Sequence, residues 1–255
     1  MSLTRFILII SIFFTNQADS QGLIIDTLCQ INEIDNQMYI FPIIHCEHSN
    51  ISNKINSHLQ RDFLDNSNIS NPNIFQSVWS STEGETAFLS NIEIDSYIIH
   101  EKYLSIQISA LGCGAYCERF YTVYNFDMTT GEAIKSASLF TQNGLITITA
   151  EINKMRTQMI REHMTTLSQY KPNITDSSEA QHYEGALSMY DSCNTKINLE
   201  YAKFGLNLKN VKITIERCSN HAERALDELG EYVYVYELSE IEEYLSPYGK
   251  KLLLN

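Results

Sequence analysis

Apolar residues recur along this chain with two different periods, and the switches between them outline its elements. Residues 23–46 read as two strands, LIIDTLCQIN and QMYIFPIIHC, separated by polar residues. Ile51, Ile55, Leu59 and Phe63 then fall every fourth residue, one stripe of a helix over 51–64, with Ser49 or Asn50 placed to cap it. Residues 65–86 are rich in Asn and Ser and contain Pro72, so they read as a long loop anchored by Trp79, the only tryptophan. Strand returns over 88–110. Within it Leu104, Ile106 and Ile108 alternate with Ser105, Gln107 and Ser109, a period of two that predicts an antiparallel sheet with one solvated face. RFYTVYNFD continues that pattern.

A helix is expected over 144–168, with Leu145, Ile148, Ile152, Met155, Met159 and Leu167 filling a core, and another over 177–190, capped by Asp176. Further on, the pattern predicts strands around 197–216, a short helix near 220–228 and a strand at 231–238. A helical turn near 239–246 and a last strand at 250–254 complete it. This is an α+β chain of antiparallel sheets with packed helices in two lobes: a leader over 1–20, an N-terminal lobe over 21–112 and a C-terminal lobe over 113–255.

The leader is read from FILIISIFF, residues 6–14, a nine-residue apolar run behind Arg5, followed by Ala18-Asp19-Ser20. Nine residues are too few for a bilayer, which needs about 20, but they suit a signal peptide cleaved before Gln21. No later segment is apolar enough to cross a membrane, so the mature chain is expected to be periplasmic or secreted, with an uncleaved anchor as the alternative. The formal charge of −13 argues against a nucleic-acid partner and favours a cationic one. All six cysteines, Cys29, Cys46, Cys113, Cys117, Cys193 and Cys218, follow the leader, and an even count in an exported chain reads as disulfides. Loop-closure entropy favours the pairs Cys29–Cys46, Cys113–Cys117 and Cys193–Cys218.

Candidate chemistry is sparse. Cys113 and Cys117 are not a C-x-x-C redox pair. A metal reading joins them to Cys46 and His48 of HCEH, which share a face of a strand, but export argues for oxidised thiols instead. Asp127 and Gly131 fit a hairpin turn, in which the carboxylate serves its own backbone and the glycine takes positive φ; a catalytic Asp127 is the sharper alternative. The remaining histidines are scattered, and no G-x-S-x-G, phosphate loop or dinucleotide fingerprint is present. No catalytic residue, metal or cofactor is therefore expected.

Several stretches carry a resemblance. FPII at 41–44 ahead of INSHL at 55–59, the hairpin YNFDMTTGE at 124–132 followed by SLF at 138–140, and YVYVYELSEIEEYLSPYG at 232–249 resemble, in order, the exported RsiV/PdaC-like domain family. That family includes the ectodomain of a lysozyme-sensing anti-sigma factor and the non-catalytic region of a peptidoglycan deacetylase. The resemblance implies a two-lobed α+β fold and a binding role outside the cytoplasm. The matching hairpin positions are Tyr124, Asn125, Asp127, Thr130 and Gly131. Where the family often has Gly-Gly-Ala-His, this chain has Cys113-Gly-Ala-Tyr-Cys117, so no role of that histidine carries over. Only five residues precede the apolar run, which leaves an anti-sigma role without a sigma-binding segment.

From Ala225 to Gly249 there is no Lys or Arg, while Glu237, Glu240, Glu242 and Glu243 are interleaved with tyrosines. Alternation sets Tyr232, Tyr234 and Tyr236 on one face. This segment is either a surface for a basic protein, which the family resemblance names as lysozyme, or a packed tyrosine face with solvated acids. The expected function is thus an exported, non-catalytic binding domain for a cell-envelope glycan or a cationic protein such as lysozyme. The alternative is a cell-wall-active enzyme, or an enzyme inhibitor, whose site forms no motif.

Overall fold

The computed structural model describes residues 22–32, 36, 38–66, 73–78, 88–114, 117–170, 177–193, 196–220 and 222–254; the leader, Trp79 and Asp176 lie outside them. The chain divides into two compact units, 1–134 and 135–255. Each is built from antiparallel strands and helices, the α+β class expected.

In the first unit, β1 (Ile24–Ile31) pairs with β2 (Met38–His45), helix α1 (Ser49–Phe63) follows, and β3 (Phe88–Ile99), β4 (Tyr103–Cys113) and β5 (Cys117–Asp127) form a meander. The four-residue stripe of α1, from Ile51 to Phe63, is buried with Tyr39, Phe41, Leu104, Ile106, Ile108 and Phe126 in one core. Asn56 fixes the helix to β2 by accepting the Ile44 N–H at 2.8 Å and donating to the Ile44 carbonyl at 2.9 Å. The helix starts earlier than expected. His48 is its N-cap residue, so Ser49 and Asn50 lie inside the first turn and cannot cap it. Ser52 instead accepts the Cys46 N–H at 2.9 Å.

The boundary expected at 112/113 falls in the wrong place. Cys113 and Cys117 face each other as the last pair of the β4–β5 ladder, and a boundary there would split hydrogen-bonded strands. The units divide after Ile134, which closes the hairpin turn through its N–H to the Asn125 carbonyl.

The polar face of β4 also departs from expectation. Ser105 and Ser109 are buried, so both faces of this central strand are covered. Two register shifts in β3, one with Asn91 at φ +47°, bring Asp95 beside β4. Ser109 donates to Asp95 at 2.7 Å, Gln107 donates to the other Asp95 oxygen at 2.9 Å, and Arg119 of β5 reaches Glu93, Asp95 and Ser109. A polar face can alternate cleanly in sequence and still be roofed by its own network.

The second unit opens with α2 (Ser136–Leu139), the long α3 (Gln142–Tyr170) and α4 (Ser177–Ser192), then the sheet β6 (Lys203–Leu206), β7 (Asn210–Ile215), β8 (Tyr232–Glu237), and ends with α5 (Leu238–Ile241) and α6 (Pro247–Leu253). The inward face of α3 is carried by Leu145, Ile148, Ile152, Arg156, Ile160 and Leu167; Met155 is half-buried and Met159 is 43% exposed, so Met159 is not the core filling expected of it. The last strand expected at 250–254 is a helix. Ser246 caps it by accepting the Gly249 N–H at 3.0 Å, and Pro247 takes the first helical position, where its missing N–H is no loss.

Two disulfides are present, Cys113–Cys117 and Cys193–Cys218. Cys29 and Cys46 are unbonded, against the expected third pair. Register explains it. Cys29 sits opposite Ile40, six residues before Cys46, which in an extended strand is about 20 Å.

Candidate functional site

The acidic, tyrosine-rich segment comes apart into two faces. Tyr232, Tyr234 and Tyr236 are all buried, packed on the Ile215, Ile213 and Val211 side of β7, while Val233 and Val235 face outward at 49% and 55% exposure. The tyrosine face is therefore interior, not a docking surface. Burial pushes Tyr232 up to about 12, with the Arg156 charge pulling the other way. Of the acids, Glu237 and Glu240 form a capping box on α5, the Glu240 carboxylate accepting the Glu237 N–H at 2.9 Å. Glu242 and Glu243 are exposed, and a hydrogen bond to Glu243 raises Tyr244.

The hairpin motif is structural. One Asp127 oxygen accepts the Thr129 N–H at 2.8 Å and the Thr129 hydroxyl, and its carbonyl accepts the Gly131 N–H at 2.7 Å. Gly131 takes φ +74°, and a Cβ there would lie 3.0 Å from the Ile51 carbonyl oxygen. Thr130 and Glu132 both accept from Lys54 of α1. The turn is thus shaped to sit on the start of α1. The Cys46, His48, Cys113, Cys117 set is not assembled: Cys113 and Cys117 are bonded to each other, and the Cys46 thiol donates to the His48 carbonyl at 3.3 Å. Among the described residues, no three His, Cys, Asp or Glu side chains cluster as a metal site would require.

Among the described residues of the second unit, an open groove of about 1090 Å³ runs along α3, walled on its other side by residues 196–200. Asn153 holds that wall in place, accepting the Ile197 N–H at 3.0 Å and donating to the Thr149 carbonyl at 2.9 Å. Asn198 shapes its end by accepting the Glu200 N–H at 3.0 Å. The floor is apolar, with Leu145, Ile146, Ala150 and Ile197, and Ile146 is 57% exposed. Gln142, Gln158 and Asn198 supply amides, and Lys154, Arg161 and Lys196 supply positive charge against Glu162 and Glu200. Sequence reading missed this groove because its two walls lie some forty positions apart, and no motif links them.

Two buried polar clusters were missed as well. Arg156, only 5% exposed, donates to the Cys193 carbonyl and stacks over the Tyr232 ring at 5.1 Å. Asp227 accepts the Tyr190 hydroxyl at 2.9 Å, the Ser219 N–H and hydroxyl, and the Gly230 N–H. Burial opposes its charge, but these bonds outweigh burial and hold its carboxyl below the ordinary value of 3.8.

Fold and groove together define a two-unit α+β protein with a solvent-open groove on its second unit. Two solved structures similar to it are described as members of one family. A DUF3298 family member from Bacteroides fragilis aligns with a TM-score of 0.53 at 11% identity, over 92% of this chain and 98% of that one. A DUF3298 family protein from Pseudomonas aeruginosa aligns with a TM-score of 0.48 at 9% identity, over 90% and 96%. DUF3298 is the domain found in RsiV/PdaC-like proteins, so the fold that the sequence resemblance implied is the fold found. No family model matches the chain, and no curated protein matches it.

Proposed function

We propose that this protein is an exported, non-catalytic binding module whose second unit holds a cell-envelope glycan in the α3 groove. The observation that carries the reading is the groove lining. Exposed Ile146 and Ala150 and half-buried Ile197 match the apolar faces of sugar rings, and the amides of Gln142, Gln158 and Asn198 match their hydroxyls. Lys154, Arg161 and Lys196 gather on a chain of net charge −13, which suits the carboxylates of a peptidoglycan fragment over a neutral polymer. Export is supported by the leader-like run at 6–14 and by two disulfides in the mature chain. Among the described residues no helix is long and apolar enough to cross a membrane.

The test is titration calorimetry of the mature protein with soluble peptidoglycan fragments. Ala150→Trp, at an exposed position, fills the groove and should weaken binding at least tenfold, or about 1.4 kcal/mol, with an unchanged melting temperature. Lysozyme is the second titrant. Lysozyme binding lost in a Glu240, Glu242, Glu243 triple Gln variant but kept in Ala150→Trp would replace the glycan reading with the cationic-protein one.

A further inference from the structure

Arg156 does more than fill space in the second unit. Its Nη2 lies 2.7 Å from the Cys193 sulfur and 3.8 Å from the Cys218 sulfur, so the two ends of one disulfide meet the buried positive charge unequally. On the other side the Tyr232 hydroxyl is 3.1 Å from the Cys218 sulfur. Both cysteines are half-buried, one at the end of α4 and one beyond β7, so the bond is not sealed in the core.

We propose that Cys193–Cys218 is a directed thiol–disulfide exchange site for low-molecular-weight thiols, with Cys218 as the attacked sulfur, Cys193 as the leaving thiolate and Arg156 as the positioning residue. An incoming thiolate attacks Cys218 and forms a mixed disulfide there. The electron pair of the broken S–S bond goes to Cys193, which leaves as a thiolate beside the guanidinium. A second thiolate then attacks the small-molecule sulfur of the mixed disulfide. This releases the oxidised thiol dimer and Cys218 as a thiolate, which takes a proton from solvent. Each disulfide reduced thus consumes two external thiols and yields one external disulfide. A leaving thiol of lower pKa departs faster, and a cation in hydrogen-bond contact lowers it. The asymmetry of 2.7 Å against 3.8 Å sets the direction of cleavage.

The experiment treats the oxidised, full mature protein with glutathione, traps with iodoacetamide and locates the products by mass spectrometry. The expected early product carries glutathione on Cys218 and an alkylated Cys193. Glutathione found equally on both sulfurs, or first on Cys193, overturns the proposal. Arg156→Met should slow reduction of this bond about tenfold, while Arg156→Lys retains most of the rate. Reduction of Cys113–Cys117 in the same molecules is the internal control and should not change. An unchanged Cys193–Cys218 rate in folded Arg156→Met overturns the role of the guanidinium. Should that variant not fold, the product map of the unmodified protein decides the proposal by itself.

Discussion

Asp227 shows how one residue organises a segment with no regular structure. Its two oxygens take four hydrogen bonds from three segments, joining α4 through Tyr190 to the loop at Ser219 and the turn at Gly230. Asp227→Asn replaces one acceptor oxygen by a donor amide that then faces other donors. We expect a loss of about 1–3 kcal/mol. The effect depends on pH with a definite sign. Asp227 stays charged to lower pH in the folded chain than in the unfolded one. Its contribution is therefore full above the ordinary value of 3.8 and fades as pH falls through the lower folded value. Melting temperatures of the two proteins should accordingly differ at neutral pH and converge in strong acid; a constant gap would contradict this account. Sequence could not single out Asp227, because its partners are 3 to 37 positions away and include two backbone groups.

At the scale of elements, the C-terminal helix α6 illustrates both a legible signal and a misread one. Ser246-Pro247 is a helix start, a side-chain cap followed by proline at the first position, and it outweighs the apolar run LLL that suggested a strand. Backbone packing then demands glycine inside the helix. A Cβ at Gly249 would collide with the Leu139 carbonyl oxygen, which also accepts the Ser246 N–H at 3.0 Å. Gly249→Ala would raise helix propensity in isolation, yet here it should destabilise by about 1–3 kcal/mol through overpacking. Urea unfolding decides between these opposite signs. The β8 strand teaches a related point. Alternation correctly separated tyrosines from valines, but period two says only that the faces differ, not which one is buried. Tyrosine takes the inside because its ring buries more apolar area than valine does.

For the whole molecule, each unit carries one disulfide, and the two should differ in weight. Cys193–Cys218 spans 25 residues and by loop entropy contributes about 3.5 kcal/mol, against about 2 kcal/mol or less for the 4-residue span of Cys113–Cys117. Paired Ser substitutions at 193 and 218 should therefore lower stability more than those at 113 and 117, measured by denaturant midpoint. The reverse order would mean that the short loop organises the β4–β5 ladder far beyond its entropy.

The sequence by itself determined the α+β class, the α1 stripe, most strand positions and the Asp127–Gly131 turn. All rest on contacts close in the chain or on a simple period, where local sterics and burial suffice. Tertiary structure decided the rest. Strand register separated Cys29 from Cys46, and the β4–β5 ladder moved the boundary to Ile134. The sheet of the second unit turned the tyrosines inward. Arg156 found its sulfur neighbours, and the α3 groove acquired its second wall, only through pairings 37 to 62 positions apart. No local pattern encodes such pairings, because their free energy is realised only when the whole unit has folded.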